Sequence, residues 1–260
     1  DGERGHENWT KARRARLPPT GIRASPSPTM FPLRDENPSH SAPVITRVLI
    51  VINAVAFLYQ VTLGTGLGPF MYTWGMVPAR ITLAVQYGEG SLAGPGLTLL
   101  TSMFLHGGWL HLVGNMWYLW IFGDNIEDRL GRGRFLLFYL ASGLVAALLH
   151  YALNPASRVP TVGASGAIAG VLGAYLVAFP RARVITLVPL FPFFQVMALP
   201  AVLVLGLWFV MQFFSGFLSL GFGSGGGVAW WAHIGGFVFG LIAMRLLGGG
   251  RRRPSGAWEE

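Results

Sequence analysis

The sequence predicts an all-α, polytopic membrane protein, a bundle of six membrane-spanning helices. Three observations carry the prediction. Of 260 residues, 52% are apolar and only 12% charged, with 36 glycines, whereas a soluble domain carries about 25% charged residues. Six apolar runs approach the roughly 20 residues that a helix needs to cross about 30 Å of hydrocarbon. The basic residues fall between these runs rather than along one face.

The spans are read as about 45–64, 109–126, 135–153, 163–180, 196–217 and 230–248. Residues 1–43 are proline-rich, hold no signal-peptide-like apolar run, and are expected to form a disordered cytoplasmic tail. The first methionine is Met30, so 1–29 are a candidate segment upstream of the native start. Residues 44–248 form the membrane-embedded domain and 249–260 a short basic cytoplasmic tail. The long loop 65–108 carries apolar pieces too short to span and is expected to ride in the interface. The apolar stretch before the fifth span is broken by Pro189, Pro192 and Pro200 and is read as irregular or interfacial. The Gly-rich segment 218–229 is expected to be a mobile loop.

With six spans, one side collects both termini and the 127–134 and 181–195 loops. The opposite side holds only Arg80 and Arg158 among the basic residues. By the positive-inside tendency both termini are cytoplasmic. The same distribution accounts for the net charge of +8 without nucleic acid as a partner. Trp109, Trp230 and Trp231 lie at outer helix ends, where an aromatic belt is expected. There is no cysteine, which excludes disulfide and thiolate chemistry.

Polar groups at membrane depth are costly and therefore mark candidate sites. Ser165 lies in TVGASGAIAG, where Gly166 and Gly170 form a small-xxx-small face that alone reads as helix packing. His233 lies in WAHIGGFVFG, before a second such face at Gly236 and Gly240. If the two faces meet, the serine and histidine come within hydrogen-bond reach. At about 1.5 Å per residue, Ser165 is roughly 24 Å from Arg181, and His233 roughly 18 Å from Arg245. Both belong in the outer half of the bilayer.

His111 and Asn115 share a face of span two as i and i+4. They read either as an interhelical hydrogen-bond patch or as donors to an oxyanion. Ser165, at a helix start, would add its backbone N–H. Serine needs a base, which histidine can supply, and no acid is placed to complete a triad, so a Ser–His dyad is expected. His106 and His111 lack the spacing and glutamate of a zinc protease, and Asp124 lacks an intramembrane carboxylate partner. No metal or other cofactor is expected. His150 and Asp124 are left without an assigned role.

Together these residues resemble the rhomboid family of intramembrane serine proteases. The resemblance covers about 30–248 and rests on HGGWLHLVGN (106–115), GASG (163–166) and AHIGGFVFG (232–240), in that order on spans two, four and six. It implies Ser165 as nucleophile, His233 as general base, and His111 and Asn115 in the oxyanion hole. His106, Gly163, Gly166, Gly170, Gly236 and Gly240 would support the site. It further implies a short fourth helix below a water-filled cavity and a bacterial cytoplasmic membrane. Substrates would be single-pass or otherwise membrane-anchored proteins, cut within or beside their transmembrane helix, with entry near the fifth helix. Two positions depart from the family pattern: Ala169 replaces a frequent tyrosine, and the Trp-Arg pair of the first outer loop is missing around Gly96–Leu97. The competing readings are a transporter or channel whose polar cluster lines a pathway, and a rhomboid-like protein that binds clients without cutting them.

Overall fold

The computed structural model describes residues 30–88, 91–190, 192–221 and 229–247. The candidate upstream segment 1–29, most of the Gly-rich loop 218–229 and the basic tail 249–260 lie outside these residues.

In chain order the elements are β1 (Phe31–Asp35), α1 (Val44–Thr62), α2 (Leu67–Trp74), α3 (Pro78–Gln86), α4 (Ala93–Thr101), α5 (Trp109–Leu130), α6 (Arg132–Leu153) and α7 (Ser165–Ala178). They continue with β2 (Arg183–Leu190), β3 (Phe193–Pro200), α8 (Ala201–Gly221) and α9 (Trp230–Leu247). Among the described residues, four helices are long and apolar enough to cross a membrane: α1, α6, α8 through Leu218, and α9. The chain is thus a multi-pass integral membrane protein.

The burial pattern on α1 agrees with a lipid-facing bundle. Leu49, Asn53, Phe57 and Gln60 form a buried stripe, while Val48, Val51, Ile52 and Val55 are exposed. An apolar face of this extent has a place in lipid rather than in water.

The core is built around α7, which is buried from Gly166 through Tyr175. It packs most extensively on α9, and also on α5, α6 and α8. The anticipated Gly faces meet here. A Cβ on Gly236 would collide with the Gly166 carbonyl, and one on Gly240 with the Gly170 carbonyl, so the two backbones touch directly. At 14 residues, α7 is about 21 Å long, shorter than the hydrocarbon layer, and its first residue is therefore held inside the bundle.

Two expectations from the sequence need correction. The run before the fifth span is no irregular stretch: β2 and β3 form an antiparallel hairpin, and the helix begins at Ala201 rather than near 196. The prolines stop a helix from continuing, and strand pairing satisfies the backbone groups that helical bonds would have satisfied. The N-terminal segment is not structureless through residue 43, because Phe31–Asp35 adds β1 to the other side of β2, giving the order β1-β2-β3. The Trp117 indole donates to the Pro32 carbonyl (2.7 Å), and its ring stacks on Phe31.

The acids at the inner end of α5 also find their places. Glu127, 1% exposed, accepts the Ile45 and Thr46 N–H groups (2.9 and 2.8 Å) and the Thr46 hydroxyl (2.8 Å). It caps α1 from another helix, where Pro43 provides no side-chain cap. Asp124 accepts from its neighbour Asn125, which also donates to Asp35 (3.0 Å). The Tyr175 hydroxyl of α7 donates to the same Asp35 oxygen at 2.6 Å. Burial pushes the Asp35 carboxyl up from 3.8 to about 6, against the opposing hydrogen bond from Tyr175. A folded value above the unfolded one means that this group's contribution to stability falls as pH rises from about 4 through 6.

Candidate active site

The site is assembled from three helix starts. The first is α5, preceded by His106, Gly107 and Gly108. Gln60 of α1 clamps this loop as a strand would: its side-chain oxygen accepts the His106 N–H (3.0 Å) and its amide donates to the His106 carbonyl (2.9 Å). His106 is 1% exposed, with its ring edge-on to His111 at 5.2 Å between centroids. The Gly107 N–H donates to His111 Nδ1 at 3.3 Å. A neutral imidazole has one donor and one acceptor nitrogen, so this bond leaves the proton of His111 on Nε2. Asn115, one turn on, is buried, and its Nδ2 has no hydrogen-bond partner among the described residues.

The second start is α7, whose first residue is Ser165. Its N–H is among the four that a helix leaves without an internal partner. The approach to α7 is held by paired backbone bonds between Met76 and Thr161 and by the Gly163 N–H on the Ser102 carbonyl (2.9 Å). Gly163 has φ +127°, a left-handed conformation that favours glycine. Space demands glycine there too. A Cβ at this position would sit 2.7 Å from His111 Nε2 and 3.6 Å from Ser165 Oγ. The missing side chain therefore leaves a gap that both groups border.

The third start is α9, which carries His233 in its first turn. Its Nε2 is 2.7 Å from Ser165 Oγ. The close contact of the glycine faces one turn below is what brings these side chains together. Its Nδ1 lies 2.6 Å from Gln212 Oε1 of α8, and the Trp208 ring of α8 lies 5.9 Å from the imidazole. Ala169, one turn on from Ser165, is fully buried and offers only a methyl group.

The serine–histidine geometry suits transfer of the Oγ proton to Nε2. The donors around Gly163 suit an oxygen gaining negative charge. His150 has a buried Nδ1 without a hydrogen-bond partner among the described residues. No cluster of metal-ligating side chains occurs among the described residues. A cavity of about 480 Å³ lined by Asn37, His40, Asn125, Glu127 and Arg132 is at the far end of α5 from His111.

The sequence points to Ser165, His233, His111 and Asn115 but not to Gln212 or Gln60. Gln212 was detectable by the rule that singled out Ser165, since a carboxamide inside an apolar span needs a partner.

A family model described as "Rhomboid domain" matches residues 94–249. Presenilin-associated rhomboid-like protein A, mitochondrial, of Danio rerio is 34% identical over 173 residues, covering 64% of this chain and 42% of that protein. Rhomboid protease GluP of Bacillus subtilis is 44% identical over 90 residues, 34% of this chain and 17% of the relative. The human presenilin-associated rhomboid-like protein, mitochondrial, is 32% identical over 149 residues, 55% and 36% of the two chains. The chain spans less than half the length of each of these relatives.

Proposed function

Because the chain belongs to the rhomboid family, we propose that it is an intramembrane serine endopeptidase that cleaves membrane-anchored proteins within or beside their transmembrane helix. The observation that carries this reading is the 2.7 Å separation of Ser165 Oγ and His233 Nε2 inside an apolar bundle. The name of the bacterial relative as a protease supports it.

In the proposed reaction, His233 Nε2 takes the Ser165 proton as Oγ attacks the scissile carbonyl carbon. The carbonyl oxygen gains the negative charge and is met by His111 Nε2–H, Asn115 Nδ2 and the Ser165 backbone N–H. The imidazolium then gives its proton to the leaving amine, which frees one fragment and leaves an acyl-enzyme. A water, deprotonated by His233, hydrolyses the ester and restores the serine. The family's six-helix bundle corresponds here to α1, α5, α6, α7, α8 and α9, counting the charged-ended α5 and the short α7. The basic loops argue for both termini on the cytoplasmic side.

Covalent labelling tests the nucleophile. A fluorophosphonate is expected to modify the purified protein at Ser165, located by mass spectrometry, and to leave Ser165→Ala unmodified. Equal labelling of the variant, or modification at another serine, would refute the assignment.

A further inference from the structure

We propose that Gln212 is a positioning residue for His233, accepting the Nδ1–H and so holding the imidazole in the tautomer and orientation that present Nε2 to Ser165. The inference rests on the serine-protease reading and extends it to a third side chain on a third helix.

The proton count fixes the roles. For Nε2 to receive the serine proton, it must present its lone pair, so the proton of neutral His233 is on Nδ1. The group facing Nδ1 must then be an acceptor, and Gln212 Oε1 lies there at 2.6 Å. No other described group is recorded within hydrogen-bond distance of that nitrogen, and the acids of the chain cluster elsewhere.

Gln212 is also poorly explained by packing alone. It is buried in an apolar spanning helix, where an unpaired carboxamide is strongly disfavoured. Trp208, four residues earlier on the same face of α8, lies against the same imidazole ring. One turn on from Ser165, α7 offers only the methyl group of Ala169. The imidazole is thus oriented by α8, although α9 carries it and α7 carries the serine. Movement of α8 away from α9 would release Nδ1 and unset the base, which couples the position of this helix to the competence of the site.

The test compares two near-isosteric variants in liposomes with a single-pass substrate. Gln212→Met keeps the volume and removes the acceptor, whereas Gln212→Glu keeps a carboxyl oxygen at the same place. The expected result is a loss of about 10–100-fold in kcat for the methionine variant, the range seen for hydrogen-bond partners of other working histidines. Its KM and Tm should be unchanged, and the glutamate variant should keep activity within severalfold of wild type. Nitrogen-15 spectra should show the Nδ1–H tautomer of His233 in wild type and a mixture in Gln212→Met. Wild-type kcat and tautomer in Gln212→Met would overturn the proposal, as would a methionine variant more active than the glutamate one. Absence of both cleavage and Ser165 labelling in the wild type would instead refute the protease reading.

Discussion

His233→Ala is expected to abolish cleavage while leaving the folded protein intact. Removing the base of a Ser–His pair in soluble proteases lowers kcat by about 10⁶-fold, because serine alone is a weak nucleophile at neutral pH. The effect should fall on kcat, since the imidazole meets Ser165, Gln212 and the rings of Trp208 and Trp230, while the glycine contact between α7 and α9 does not involve it. Turnover of a single-pass substrate measured beside the Tm checks both parts. Residual activity within tenfold of wild type would show that another group activates Ser165.

Gly236→Ala is expected to damage fold and site together. The added methyl would meet the Gly166 carbonyl, a backbone atom that cannot rotate away, so α7 and α9 must separate. Overpacking of this kind typically destabilises by about 1–3 kcal/mol. The separation also opens the Ser165–His233 contact, and a displacement of about 1 Å can lower the rate about 100-fold. Gly206→Ala is the internal control, because nothing lies within 4 Å of a Cβ at that position of α8. There, stability should stay within about 1 kcal/mol of wild type, with a small gain from helix propensity. Thermal unfolding in detergent and activity in liposomes should separate the two variants clearly. Matching behaviour would contradict the direct contact of the two backbones.

The features that were legible in the sequence are those written locally. The Gly166/Gly170 and Gly236/Gly240 spacings were legible because four residues return to one helix face, and the contact of the two faces followed from their similarity. His111 and Asn115 could be paired for the same reason. The sheet was hidden because β1 and β2 lie about 150 residues apart, and the proline-rich surroundings of β1 resemble a disordered tail. Prolines around an apolar run announce that a helix ends without saying what replaces it, and a hairpin with a distant third strand is one of several answers. The partner of Glu127, the N-terminus of α1, becomes visible only when the helices are packed. Gln212 is the same case inside the site: its residue type was readable, but its partner on α9 was not.

Ser165, activated by His233, is proposed to cut membrane-anchored proteins within the bilayer. The most direct test is reconstitution of purified wild type and Ser165→Ala into liposomes with a single-pass substrate, with the fragments mapped by mass spectrometry. One principal cut within or beside the substrate's transmembrane helix is expected in wild type and none in the variant. Undiminished cleavage by Ser165→Ala, or cuts confined to soluble regions far from the membrane, would contradict the proposal.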